Sequence, residues 1–299
     1  MNLRDLRYLV ALADTRHFGK AAQRCHVSQP TLSAQLKKLE EYLGVELIER
    51  QPRRVSLTEM GEQLVARARR IVNDSDELLT LARSQRDPLS GSLKLALIPT
   101  LGPYLLPLVA KKLRKQLPKL KLMLYEYQTE PLLQALRAGD IDMGVLALPV
   151  HADGVETRKL FEEDFVIALP KEHRLAERSS VKLDDLSGES LLLLEDGHCL
   201  RDQALDVCGH SNLEEDQDYR ATSLETLRQM VAAGMGVTLL PKLSASGPFA
   251  TEKSVLIKPF PKPVPTRTVG AVWRKSTTRT AAIKAVCEVL EECMAERKP

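Results

Sequence analysis

The sequence lacks any run of 18 or more apolar residues, the length that a membrane-spanning helix requires. Its N-terminus, MNLRDLRYLV, carries Arg4, Asp5 and Arg7 where a secretory signal peptide would be apolar. We therefore expect a cytoplasmic protein with no membrane association. Internal repeats and low-complexity segments are absent too. A chain of 299 residues with 43% hydrophobic and 28% charged residues predicts two or three compact folded units.

The motifs of several enzyme classes are also missing. The sequence has no GxSxG nucleophile elbow, no phosphate-binding glycine loop and no HExxH helix. The pair Gly234 and Gly236 indicates only the end of a helix that leads into a strand. The sequence therefore predicts neither an enzyme nor a bound cofactor or metal.

Cysteine and charge are unevenly distributed. Five cysteines in a cytoplasmic chain argue against a structural disulfide framework and favour buried, metal-binding or redox-active thiols. Three of them fit buried structural positions: Cys25, Cys287 and Cys293. Residues 1–70 contain 13 basic and 8 acidic residues, whereas 195–218 contain eight acids and one base, Arg201. A basic head indicates that this end meets a polyanion.

The basic head has the pattern of a helix-turn-helix. A leucine-rich helix begins near Leu3, a short helix follows at about 18–25, and a third helix has Ser28 as N-cap and Pro30 in its first turn. The pattern alone also allows a helical bundle with a solvated polar face. Expected base-edge contacts are Gln29, Thr31, Ser33 and Gln35; expected phosphate contacts are Arg4, Lys37, Arg50 and Arg53.

This head closely resembles the DNA-binding domain of LysR-type transcriptional regulators. The resemblance covers some 60 residues without a gap and includes FGKAAQRCHVSQPTLSAQLKKLEEYLGVELIERQPRRVSLTEMG. It implies a winged helix-turn-helix over residues 1–58, with the wing between Val45 and Thr58. It also implies that the partner is double-stranded DNA at palindromic promoter sites.

A long helix is predicted next, over residues 59–87. Its apolar positions recur at heptad-like spacing: Leu64, Ala68, Ile71, Leu78, Leu79 and Ala82. Such a stripe on an exposed helix needs a partner chain, so we expect a homo-oligomer, with a dimer of dimers as the expected assembly.

From Ser92 onward, strands and helices alternate in βαβαβ order, which is typical of a parallel α/β sheet. We expect a two-lobed effector domain like the periplasmic binding proteins, as the LysR resemblance also implies. The first lobe is placed at 88–163 with 268–299, and the second at 164–267. Ligands bind such folds at the carboxyl ends of strands. Thr100 and Thr129 follow two strands, where each hydroxyl could face the cleft or cap the next helix.

Cys199 and Cys208 lie nine positions apart in GHCLRDQALDVCGH, with a histidine beside each. Their residue types allow three interpretations. Both thiols can be buried small hydrophobes. They can bind zinc together with His198 and His210, although adjacent ligands at 198 and 199 do not readily share one tetrahedral centre. They can also form a redox switch.

The redox interpretation follows from the position of Cys199 at the expected start of a helix. A helix N-terminus, with His198 and Arg201 beside the thiol, favours the thiolate. Peroxide oxidises a thiolate to sulfenic acid, and a second thiol then closes a disulfide. If 199–208 is helical, the two Cα atoms lie roughly 13 Å apart, and a disulfide tolerates at most about 7 Å. Closing the bond would therefore unwind the segment.

A narrower resemblance favours the same interpretation. The strings EDGHCLRDQA, from residue 195, and YRATSLETLR, from residue 219, closely resemble the hydrogen-peroxide sensors among LysR-type regulators. The resemblance implies a peroxidatic Cys199, a resolving Cys208 and a peroxide pocket made by Thr100, Thr129, His198 and Arg201. The chain departs from these sensors at Asp218, where they often carry histidine, and in its acidic 209–218 segment.

We therefore expect a LysR-type regulator that detects hydrogen peroxide through a reversible Cys199–Cys208 disulfide and controls oxidative-stress genes. Besides DNA and further copies of the chain, the expected partners are RNA polymerase and a thiol reductant such as a glutaredoxin. The alternatives are a LysR-type regulator with a small organic effector between the lobes, and a thiol peroxidase, against which the DNA-binding head argues.

Overall fold

A computed structural model describes residues 1–51, 54–84, 87–209, 214–246 and 254–297. The chain divides into two compact units, residues 1–86 with 137–140, and residues 87–136 with 141–299. Two positions singled out in the sequence, Arg53 and His210, lie outside the described residues, as do the side chains of Arg50, Leu79, Ala82 and Asp218. No helix in the described ranges is long and apolar enough to cross a bilayer.

The first unit consists of a winged helix-turn-helix and a long helix. Its elements are α1 (Leu3–Thr15), α2 (Phe18–Arg24), α3 (Gln29–Leu43), β1 (Ile48–Gln51), β2 (Arg54–Leu57) and α4 (Glu59–Ser84). Strands β1 and β2 pair antiparallel and form the predicted wing.

Helix α3 begins and ends where the sequence predicts. The Ser28 hydroxyl accepts a hydrogen bond from the Thr31 backbone N–H at 3.3 Å, and Gly44 ends the helix with φ of 70°. The buried side of the helix packs into the helix-turn-helix core through Leu32, Leu36 and Leu39. The opposite side is consequently left to polar residues.

The apolar positions of α4 divide between two surfaces, which corrects the single stripe expected from heptad spacing. Ala68, with Val65 and Val72, is buried in the core of the first unit, where α4 packs against α1. Ile71 and Leu78 are instead 49% and 69% exposed. Within the described part of α4, these last two remain available to a second chain.

Helix α4 passes close to Leu47, the residue before β1, at Gly61. A Cβ added at Gly61 would lie 2.2 Å from the Leu47 carbonyl oxygen, so a Gly61→Ala variant must displace backbone. We expect it to lower the free energy of unfolding of the first unit by about 2 kcal/mol, as overpacking does. Urea denaturation measures the change. Gln63→Ala, at an exposed position of the same helix, is the control and should leave stability within about 0.5 kcal/mol.

The second unit contains the remaining elements. Its strands are β3 (Gly91–Leu97), β4 (Leu120–Glu126), β5 (Met143–Leu148), β6 (Val155–Pro170), β7 (Ser190–Leu194), β8 (Glu214–Ala221), β9 (Thr238–Pro241), β10 (Val255–Pro259) and β11 (Thr266–Arg274). Its helices are α5 (Gly102–Gln116), α6 (Thr129–Ala138), α7 (Cys199–Cys208), α8 (Leu224–Ala232) and α9 (Thr280–Ala295), with a 3₁₀ turn at Leu183–Leu186.

The sheets confirm the α/β class and add connections that the sequence did not indicate. Strand β3 pairs in parallel with β4 and β5, as the βαβαβ order predicts, whereas β11 pairs antiparallel with β5 and β6. Strand β6 is 16 residues long; its first half pairs with β11 and its second half with β9 and β10. The lobe boundary expected between 163 and 164 therefore falls inside one continuous strand.

Two hydrophobic cores lie on either side of this strand's midpoint. We call them the first core, around β3, β5 and α9 with Val145 and Ile283 at its centre, and the second core, around β7 and α8 with Leu192 and Val231. Because β6 contributes Phe161 to the first core and Ile167 to the second, a single backbone segment connects them.

Candidate functional site

The turn between β7 and α7 can be built only with glycine at position 197. Gly197 has φ of 94°, a conformation that L side chains rarely adopt. A Cβ at this position would also lie 2.7 Å from the Gln128 Oε1 atom, which comes from the segment between β4 and α6. The turn therefore packs directly on the first-core side, and α7 begins immediately after it at Cys199.

Cys199 and Cys208 are the first and last residues of α7 and pack in different places. Cys199 is half-buried and packs against the first core, whereas Cys208 is buried in the second core. Neither forms a disulfide in the structure. Because α7 has ten residues, its rise separates the two Cα atoms by about 13 Å. The predicted helix is confirmed, and a disulfide cannot close while it is intact, since about 7 Å is the limit.

Burial acts on the ionisation of two groups at this helix. It raises the pKa of Cys208 to about 11, so this thiol is protonated at neutral pH. Burial also lowers the pKa of His198, and the opposing effect of the Glu195 carboxylate, 3.9 Å from Nε2, is smaller. The imidazole is therefore neutral at neutral pH, and the positive charge that the sequence analysis placed beside Cys199 is absent from His198.

Asp196 joins the start of α7 to the end of β8. One carboxylate oxygen pairs with Arg201 Nε at 3.0 Å, and the other accepts a hydrogen bond from Arg220 Nη1 at 2.9 Å. We call these three residues the Asp196 clasp. Arg201 and Arg220 bracket the segment in which Cys208 lies, so the clasp holds both ends of that segment to the turn before Cys199.

A cavity of about 600 Å³ lies next to this turn. Two of the four predicted pocket residues, Thr100 and His198, line it, together with Gln128 and Arg228. Arg201 is not among its lining residues and is engaged with Asp196 instead. The cavity thus brings side chains of both halves of the second unit together.

Neither threonine caps the helix that follows it, so the capping alternative is wrong for both. The N-cap of α5 is Leu101, which makes no side-chain cap, and the Thr100 hydroxyl is bonded to Arg267 instead. Thr129 is the first residue of α6, and its buried Oγ1 has no hydrogen-bond partner among the described residues. A buried hydroxyl in that state is ready to bond a ligand or a water.

Arg267 is a functional candidate that the sequence analysis missed. Its Nη1 donates to Thr100 Oγ1 and its Nη2 to the Thr100 carbonyl, both at 3.1 Å. Because a guanidinium can only donate, the Thr100 hydroxyl accepts in this bond and its own proton remains free for another acceptor. The signal was present in TRTVGAVW, where one arginine interrupts an apolar strand; a buried arginine implies a partner.

Six of the eight predicted DNA-contacting residues lie on α1 and α3, and none of these six is buried. Arg4, Gln29, Thr31, Ser33 and Lys37 are exposed and Gln35 is half-buried. The Thr31 hydroxyl bonds to Ser28 Oγ at 2.7 Å, and Lys37 lies 4.0 Å from Glu41. The five α3 positions flank the buried leucines, with Gln29, Ser33 and Lys37 along one side of the helix and Thr31 and Gln35 along another.

The zinc interpretation receives no support from the described part of the chain. No group of three or more His, Cys, Asp or Glu residues is arranged there to hold a metal ion. Of the four ligands considered, Cys199 and Cys208 lie at opposite ends of α7, and His210 is outside the described residues.

Two family models cover nearly the whole chain. Residues 3–62 match the bacterial regulatory helix-turn-helix protein, lysR family, and residues 86–295 match the LysR substrate binding domain. The chain belongs to the LysR family of bacterial transcriptional regulators. Within that family it is 46% identical, over 294 residues, to the DNA-binding transcriptional dual regulator OxyR of Escherichia coli K12, covering 98% of this chain and 96% of that protein.

Solved structures give the same relationship. A variant of full-length OxyR from Pseudomonas aeruginosa superposes with a TM-score of 0.77 at 40% identity and 98% coverage of both chains. An H2O2-bound variant of OxyR from Corynebacterium glutamicum superposes with a TM-score of 0.68 at 36% identity, covering 99% of this chain and 93% of the other.

The Asp196 clasp is expected to stabilise α7 against local opening. Asp196→Asn removes the charge that holds Arg201 and Arg220, so we expect the amide hydrogens of α7 to exchange about two- to fivefold faster, the effect of a partly exposed ion pair. Hydrogen–deuterium exchange by mass spectrometry measures this. Asp164→Asn, which breaks the Lys242 pair on β6, should leave exchange in α7 unchanged. Equal exchange in native protein and Asp196→Asn would show that the clasp does not hold the helix.

Proposed function

We propose that this LysR-family regulator senses hydrogen peroxide through a reversible Cys199–Cys208 disulfide and controls oxidative-stress genes as an activator. The observation that carries the proposal is the placement of the two thiols at opposite ends of one helix and against different cores. Oxidation at such a place changes the fold. The proposal is supported by relatives named OxyR and hydrogen peroxide-inducible genes activator.

The first chemical step is oxidation of Cys199. Its thiolate attacks one oxygen of hydrogen peroxide; an S–O bond forms, the O–O bond breaks, and the departing hydroxide takes a proton to become water. The Thr100 hydroxyl can donate a hydrogen bond to the departing oxygen, because it only accepts in its contact with Arg267. The buried Thr129 hydroxyl and the neutral His198 complete the proposed peroxide pocket, and Arg201 acts through Asp196 on the turn that carries His198.

The second step closes the disulfide. The Cys208 sulfur attacks the sulfenic sulfur of Cys199; an S–S bond forms, the S–O bond breaks, and the departing hydroxyl takes the Cys208 thiol proton and leaves as water. Because about 13 Å separates the two Cα atoms in α7, the helix must open first. Opening also takes Cys208 out of the second core, where burial holds its pKa near 11. Resolution and refolding are thus one event, and the rearranged second unit repositions the DNA-binding heads.

The remaining parts of the proposal concern organisation and partners. The first and second cores support two lobes, 88–163 with 268–299 and 164–267, beside a head at 1–58 and a linker helix at 59–87. Ile71 and Leu78 on α4 support pairing with a second copy, and two such dimers make the proposed tetramer. The head acts on promoter DNA through α3, with RNA polymerase as the activated partner and a glutaredoxin-type dithiol as the reductant.

A second candidate function rests on the cavity beside the turn. Its volume of about 600 Å³ would admit a small organic effector, with both cysteines incidental. Thiol titration after stoichiometric peroxide separates the two functions, because the disulfide switch consumes two thiols per chain and an effector-binding regulator consumes none. Turnover as a thiol peroxidase is not part of either proposal, since the family is one of transcriptional regulators.

Removal of the peroxidatic sulfur tests the main proposal. We expect Cys199→Ser to retain promoter DNA binding, because residue 199 lies outside the first unit, and to lose the peroxide-dependent change in its footprint. Footprinting with and without peroxide, together with thiol counts, measures both properties. Cys293→Ser, in the first core, is the control and should still lose two thiols. A footprint that still responds in Cys199→Ser would contradict the mechanism.

The raised pKa of Cys208 also makes stability depend on pH. The folded value is about 11 and the ordinary value 9.0, so unfolding releases no extra proton below pH 9 but does so above it. The stability that the buried thiol contributes is therefore complete below pH 9 and is lost as the pH rises toward 11, by about 3 kcal/mol in all. Urea midpoints of the native protein and Cys208→Ala should run parallel below pH 9 and converge above it.

A further inference from the structure

We propose that Glu163 is a positioning residue for peroxide reduction, acting through Arg267 on Thr100. The inference rests on the proposed function, because it requires peroxide to react beside Thr100. Glu163 does not line the cavity of about 600 Å³ and would not contact peroxide there. Its influence on the reaction would pass entirely through the guanidinium that it holds.

The contacts form an uninterrupted path of short hydrogen bonds. Glu163 Oε2 accepts from Arg267 Nε at 2.8 Å and lies 2.7 Å from Nη2. The same guanidinium donates from Nη1 to the Thr100 hydroxyl and from Nη2 to the Thr100 carbonyl. All three guanidinium nitrogens are therefore used, and the orientation of the fork is determined by these two residues.

Burial makes this pair rigid and its charges mutually dependent. The Arg267 and Glu163 side chains are 1% and 3% exposed, so neither partner contacts bulk water in the folded protein. A buried charge that loses its partner is strongly destabilised and reorients or draws in water. Without the Glu163 carboxylate, Arg267 would therefore leave the position from which it holds the Thr100 hydroxyl.

The pair also connects Thr100 to the middle of the strand shared by the two cores. Glu163 and Arg267 are directly opposite each other in the antiparallel register of β6 and β11. The second Glu163 oxygen accepts from the Leu243 backbone N–H at 2.9 Å, in the turn after β9. Three segments, β6, β11 and the turn at Leu243, thus converge on one carboxylate and determine where the Thr100 hydroxyl lies.

The consequence for the chemistry is the direction of the Thr100 proton. While Arg267 donates to the hydroxyl oxygen, the hydroxyl proton points away from the guanidinium and is available to another acceptor, such as the departing oxygen of peroxide. When Arg267 moves, the hydroxyl is free to rotate and that donor is no longer preorganised. A small loss of alignment of this kind is enough to slow a reaction about tenfold or more.

The test is a double-mutant cycle on the rate of Cys199 oxidation in the full-length protein. We compare native protein, Glu163→Gln, Thr100→Val and the double variant, and measure the second-order rate with hydrogen peroxide by quenched alkylation and mass spectrometry. We expect Glu163→Gln to react about tenfold more slowly. We expect the double variant to be no slower than Thr100→Val alone, because Glu163 acts only through Thr100.

Two further measurements separate positioning from general destabilisation. Alkylation of Cys199 by iodoacetamide does not use Thr100, so its rate in Glu163→Gln should stay within about twofold of the native rate. The control variant is Glu291→Gln, which removes a bidentate partner of Arg158 elsewhere on β6, with both bonds at 2.8 Å, and touches neither Thr100 nor Arg267. It should lose stability without slowing the peroxide reaction.

The outcomes are distinct for the two proposals. A native rate in Glu163→Gln, or a double variant slowed by the product of the two single effects, would overturn the positioning role while leaving the peroxide switch intact. Native protein whose Cys199 is not oxidised by stoichiometric peroxide would overturn the proposed function itself. If Glu163→Gln does not fold, Glu163→Asp keeps the charge, shortens the reach to Arg267 and enters the same cycle with the same expected non-additivity.

Discussion

The backbone hydrogen bonds of α7 are the constraint on which the proposed behaviour of this protein depends. They hold the Cα atoms of Cys199 and Cys208 about 13 Å apart at the two ends of a ten-residue helix, almost twice the roughly 7 Å that a disulfide tolerates. A shorter helix would let the two thiols form a disulfide without unfolding, and a loop would not keep the thiols at a fixed distance. Gly197, with its left-handed conformation and its contact with Gln128, fixes where the helix begins.

Strand β6 has a comparable importance for the second unit as a whole. It contributes residues to both hydrophobic cores and pairs with β11 on one side of its midpoint and with β9 and β10 on the other. Near that midpoint lies Glu163, whose carboxylate binds Arg267 and the Leu243 amide. The buried ion pair of Glu163 and Arg267 thus lies where the first and second cores meet.

Much of this arrangement was predictable because it follows from local sequence. The caps Ser28 and Gly44, the βαβαβ order and the start of α7 all depend on residues close in the chain. Other features depend on segments about 100 residues apart, which leave no local pattern in the sequence. They are the antiparallel pairing of β11, the 16-residue length of β6 and the Arg267–Glu163 pair. The neutral state of His198 was likewise invisible, because burial determines it and sequence neighbours do not.

The helical rod between the two thiols also gives the proposed switch a time scale. In the proposed mechanism the sulfenic acid forms at the first residue of α7, and the disulfide cannot form until the helix opens. Disulfide formation therefore follows a local unfolding event, which in proteins takes from microseconds to seconds. During that interval a small thiol can reduce the sulfenic acid and return Cys199 to the thiol before the disulfide forms. The stability of α7 therefore makes the response depend on the duration of exposure: a sustained oxidant produces the disulfide, whereas a brief exposure does not.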